Sequence, residues 1–198
     1  MDAQELSSEL IPSPAQIVEL IEKLAEGIWP RSDAERKAFF ARLGFTTGAR
    51  LDEPNEFSAT AHYALLTPLP GELSTAWTAH NGHLMGVNMQ PYTAMTPDNL
   101  TTRSGYDEVR KHLTALFGEP AHPWGDPLVP ASVWNTNGRR IVVRFFNLRH
   151  SGMMVSVDDA RLAAAAESAA KLRREKAHWN NSEEGASPFL LPKLGTHG

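Results

Sequence analysis

The sequence predicts an α+β domain in which helices pack on one face of an antiparallel sheet, with elements in the order ααβββαβββα. Three observations carry this. Two Asn-Gly dipeptides, Asn81-Gly82 and Asn137-Gly138, each separate two runs of strand character. Asn-Gly is the strongest short-range hairpin signal, because both turn residues must accept positive φ. Helical patterns stand at the start, middle and end of the chain without a βαβ rhythm, so nothing asks for parallel strands. Size is the third: 198 residues, 41% of them hydrophobic, suffice for one core of ordinary dimensions.

The first helix begins after Ser13. Ser13 can cap, Pro14 suits the first helical position, and Gln16 can complete a capping box. Ile17, Leu20, Ile21, Leu24 and Ile28 recur at helical spacing, and Gly27 with Trp29-Pro30 marks the stop. A second helix starts at Ser32, again with a capping box (Glu35), presents Phe39, Phe40 and Leu43, and ends at Gly44. Together they read as a helical hairpin.

Residues 59–66 are the first expected strand. Residues 73–80 and 83–90 form the first Asn-Gly hairpin, whose two-residue turn sets His80 opposite His83 and Trp77 opposite Gly86. A polar connection over 91–104 leads to a third helix, capped by Ser104, with Tyr106, Val109, Leu113, Leu116 and Phe117 as its stripe and Gly118 as its stop. The second hairpin joins 131–136 to 139–148, and a last strand covers 153–157. Asp158 then caps a long Ala-rich helix over about 159–177, a composition with high helix propensity and little bulk. The expected boundaries are a tail over 1–12, one domain over 13–179 and a tail over 180–198, where Phe189, Leu190, Leu191 and Leu194 are the apolar residues.

Charge narrows the function classes. The net charge is −4, which disfavours a general nucleic-acid binder. Residues 1–60 carry −5, residues 61–130 carry −3 and residues 131–198 carry +4. Such a dipolar surface suits an oriented protein partner. Cysteine is absent, which excludes disulfides, cysteine nucleophiles and thiolate metal sites. No apolar run approaches a membrane span and the N-terminus has no apolar signal core, so the expected location is the cytoplasm.

The chain has no G-x-S-x-G elbow, no phosphate-binding glycine loop, no dinucleotide fingerprint and no H-E-x-x-H. No catalytic, cofactor-binding or metal-ligating residues are therefore assigned. Of eight histidines, only His80 and His83 are predictably close, and without further ligands they read as turn-flanking residues. Asp107-Glu108 and Asp158-Asp159 fall at helix starts, where negative charge offsets the helix dipole. Asp52, Glu53 and Glu56 fall in a loop instead. With Trp124 and Asp126 of a second loop, they are the candidate partner-binding residues.

One stretch carries a resemblance. Tyr106, Leu113-Thr114-x-Leu116-Phe117-Gly118-Glu119-Pro120, Trp124, Trp134, the second Asn-Gly and Val155-x-Val157, together with Trp29-Pro30 and Leu43-Gly44-Phe45, resemble uncharacterised actinobacterial α+β proteins associated with secreted polymorphic toxins. Their order of elements is also similar to secretion-chaperone-like folds. The resemblance implies a non-enzymatic protein-binding module: an immunity protein that occludes the active site of a cognate toxin, the expected partner being a basic toxin domain. The alternatives are a secretion chaperone-like escort and an unrecognised hydrolase. An enzyme would show a pocket with convergent polar groups and a perturbed pKa.

Overall fold

The computed structural model describes residues 10–53, 58–121 and 129–184, the last eight by backbone alone. Its elements are α1 (Pro14–Ala25), α2 (Asp33–Arg42), β1 (Thr46–Arg50), β2 (Thr60–Leu66), β3 (Ser74–His80), β4 (His83–Ala94), α3 (Leu100–Phe117), β5 (Ala131–Thr136), β6 (Arg139–Asn147), β7 (Ser151–Asp159) and α4 (Ala160–Glu184). The fold is α+β. All seven strands form one antiparallel sheet in the order β1-β2-β3-β4-β7-β6-β5. Two meanders, β1–β4 and β5–β7, are thus joined where β7 pairs with β4. Among the described residues no helix is long and apolar enough to cross a membrane.

Local signals set most element ends. The α1 capping box forms: Ser13 Oγ accepts from the Gln16 N–H, and Gln16 Oε1 accepts from the Ser13 N–H. The helix stops at Ala25, and Gly27 turns the chain at φ 75°, so Ile28 leaves the apolar stripe and lies 84% exposed. At α2 only half of the expected box forms, because Glu35 takes the Arg31 N–H instead of that of Ser32. Strand β1 was not expected. Its five residues are all exposed, so it has no apolar face to reveal it, and backbone pairing to β2 holds it at the sheet edge.

Three other boundaries differ from expectation for identifiable reasons. β4 runs past Pro91 to Ala94, because the proline sits where the register slips between Met89 and Tyr92. α3 starts four residues before Ser104, with Asn99 as the cap: its Oδ1 accepts from the Thr102 N–H at 3.0 Å. β7 extends to Asp159, and that residue, not Asp158, caps α4 by accepting from the N–H groups of Arg161 and Leu162. α4 itself continues to Glu184, past the expected start of a tail at 180.

Helices α1, α2 and α3 cover one face of the sheet. Ile17, Ile21 and Leu24 of α1, Phe40 of α2, and Val109 and Leu113 of α3 meet Trp77, Val87, Ile141, Val143, Phe145, Val155 and Val157 of the strands. Each fully buried side chain of this size contributes roughly 2 kcal/mol through loss of apolar surface to water. Trp77 does not face Gly86. A bulge between Thr78 and Ala79 puts it opposite Val87, stacked on Tyr63 at 4.2 Å with the Arg36 guanidinium 4.0 Å above it.

Candidate functional site

Side chains alternate across a strand. With Ile141, Val143 and Phe145 in the core, Arg140, Val142 and Arg144 of β6 project from the other face. The same rule sends Met154, Ser156 and Asp158 of β7, Asn88 of β4, Thr78 of β3 and His62 of β2 to that face. These five strands are neighbours in the sheet, so the residues converge around a cleft of about 190 Å³. α4 leaves the end of β7 and reaches over one side of it, where Ala163 is buried and Glu167 bonds Arg140 at 2.7 Å. From Lys171 to Lys176 every residue of α4 is exposed.

Two hydrogen-bonded groups make up the cleft. On one side Thr78 Oγ1 is the hub: Asn88 Nδ2 donates to it at 3.1 Å, and His62 Nδ1 lies at 3.2 Å. On the other, Ser156 Oγ donates to Asp158 Oδ2 at 3.1 Å, and Arg140 Nη2 stands 3.8 Å from the same oxygen. Burial pushes the Asp158 carboxyl up to about 6, with Arg140 and Ser156 partly opposing the shift. Burial also lowers the Arg144 guanidinium from its ordinary value, and the like charge of Arg140 adds to this. Gly86 makes room for the carboxylate, since a Cβ there would collide with Asp158. The carboxylate, and not a tryptophan ring across the hairpin, is the reason for that glycine.

The residues expected to bind a partner fare differently. Asp52 and Glu53 follow β1. Asp52 accepts from the His62 N–H at 2.8 Å and from Arg50 Nε at 3.1 Å. The Arg50 hydrogen bond, then that from His62, holds its carboxyl down at about 2. It clamps the end of β1 to β2 and is not a free loop charge. Glu53 is exposed. Glu56, Trp124 and Asp126 lie outside the described residues. His80 and His83 do pair across the hairpin, yet His80 Nδ1 lies 3.2 Å from Thr60 Oγ1 while His83 Nδ1 donates to the Arg31 carbonyl. Among the described residues no group of three or more His, Asp or Glu could hold a metal ion.

Sequence reasoning missed the Arg140–Asp158–Arg144 cluster. The available signal was the spacing Arg140-x-Val142-x-Arg144 inside an apolar strand, which places two charges on one face. No family model, no curated protein and no solved structure matches this chain.

Proposed function

We propose that this chain is a protein-binding module that docks its partner on the second face of the sheet, and that it neutralises a cognate toxin in the cytoplasm by covering the toxin's active site. One observation carries the docking surface. Helices cover one face as a layer, while the other face presents convergent polar groups around a cleft too small for most substrates. Ligand pockets usually enclose roughly 300–1,000 Å³; about 190 Å³ fits the head of one inserted side chain. The exposed helix surfaces are less suited to docking, being laced with their own ion pairs: Glu19–Lys23, Asp33–Lys37 and Arg103–Asp107. The −8 carried by residues 1–130 favours a basic toxin domain by long-range attraction. Escort of a secreted protein would use the same face.

The test uses the product of the adjacent gene as partner. Met154→Trp fills the cleft from a side chain that faces away from the core. Binding at least tenfold weaker, with thermal stability retained, is the expected result; unchanged affinity would move the interface elsewhere. A hydrolase reading draws on one observation, the raised Asp158 carboxyl in a polar cleft. Turnover of a chromogenic ester that Asp158→Asn abolishes would replace the docking reading.

A further inference from the structure

A second cleft, of about 560 Å³, opens at the end of the sheet where both Asn-Gly hairpins turn. Four parts of the chain build it: the α1–α2 connection with Trp29 and Arg31, the start of β4 with His83, the start of β6 with Arg139, and the α4 start with Asp159 and Arg161. None of these residues lines the sheet-face cleft.

Arg139 is its fixed centre. The residue is 6% exposed, and its guanidinium lies 4.7 Å from the centre of the Trp29 ring. Trp29 is held in turn by donation from Nε1 to the Leu84 carbonyl at 2.7 Å. Arg139 Nη2 donates to the Gly27 carbonyl at 3.1 Å, and Nη1 stands 3.9 Å from Asp159 Oδ2. The Nε is buried and has no hydrogen-bond partner. Asp159 is the one carboxylate in the lining, and its Oδ1 is occupied by the first N–H groups of α4. Three arginines and one aspartate thus line the cleft, an excess of two positive charges in a chain whose net charge is −4.

We propose that this cleft binds a small phosphorylated molecule. A phosphate monoester or pyrophosphate is a dianion or more at neutral pH, which matches the excess, whereas a single carboxylate offsets half of it. Guanidinium forks pair with phosphate oxygens through two parallel hydrogen bonds. His83 donates Nδ1–H to the Arg31 carbonyl, which ties the start of β4 to the α1–α2 connection across the cleft that both line. Ile28 and Leu162 supply apolar wall for the organic part of the ligand. A ligand role also accounts for Ile28, which is 84% exposed beside a buried tryptophan.

Calorimetric titration with pyrophosphate, at fixed ionic strength, tests the assignment on the full chain. The expected result is saturable binding to wild type, at least tenfold weaker in Arg31→Gln/Arg161→Gln. Both arginines are exposed, so the variant should keep its thermal stability, and a melting curve checks this. Absence of binding to wild type, or equal binding to the double variant, overturns the site. Citrate binding as tightly as pyrophosphate overturns the phosphate assignment.

Discussion

Asp158→Asn isolates the buried carboxylate of the sheet face. The amide keeps the size and can still meet Ser156, but it cannot ionise. In the folded chain the Asp158 carboxyl stands at about 6 against 3.8 for the ordinary group. A raised carboxyl contributes stability that is fully present below the unfolded value and is lost as pH rises through the folded one. The wild type therefore loses stability, from this group, between about pH 4 and pH 6. Two units at 1.36 kcal/mol each give on the order of 3 kcal/mol across that window. Asp33 and Asp52 are shifted the other way, so their effect falls as pH drops below 4 and has the opposite sign. Subtracting the variant from the wild type removes these other groups. Urea denaturation of both proteins at pH 4, 5, 6 and 7 is the assay. The variant should gain on the wild type by about 3 kcal/mol from pH 4 to pH 7, roughly 6–12 °C in melting temperature for a domain of this size. A difference that does not change with pH would show that Asp158 is solvated, and the raised carboxyl would have to be abandoned.

Gly86→Ala should destabilise the fold by the collision with Asp158, and Asp158→Ala in the same chain should recover most of the loss; no recovery in a double-mutant cycle would mean that another neighbour sets the space. Gly82 stands at φ 78° with open space where a Cβ would stand, so Gly82→Val should lower stability by about 1–2 kcal/mol through backbone strain alone. An unchanged melting temperature would show that the turn relaxes. Asp52→Lys should lower the melting temperature because it breaks the clamp to Arg50 and His62, while Glu53→Lys should leave it nearly unchanged; equal effects from the two would refute the clamp.

What was legible in the sequence is what local chemistry decides. Ser13 with Gln16, both Asn-Gly turns and the Gly118 stop act within a few residues, and each appears where expected. Strand β1 escaped because an edge strand of exposed residues needs no hydrophobic alternation. Asn99 escaped because Ser104, inside the helix, looked like a cap. The sheet-face cluster escaped for a different reason. The alternation in 139–145 says that Arg140, Val142 and Arg144 share a face. It cannot say that β7 lies between β6 and β4, and that non-local pairing brings Asp158 beside Arg140 and Asn88 beside Ser156.

A one-residue difference at the end of β7 decides the chemistry of the face. Two adjacent aspartates before an alanine run can each cap a helix. Asp159 does so, and strand alternation then sends Asp158 to the opposite side. There it stands with Glu167 against Arg140 and Arg144, two carboxylates facing two guanidiniums. At neutral pH the cluster is close to balanced, so it offers hydrogen bonds but little net charge. The side chain that best fills the cleft is then a neutral polar one, an amide or a hydroxyl, since an inserted charge would displace a partner already in place. Attraction over distance must come from the rest of the surface, where residues 1–130 carry −8. In the docking reading the acidic surface sets how fast a basic partner arrives, and the balanced cleft sets which one stays.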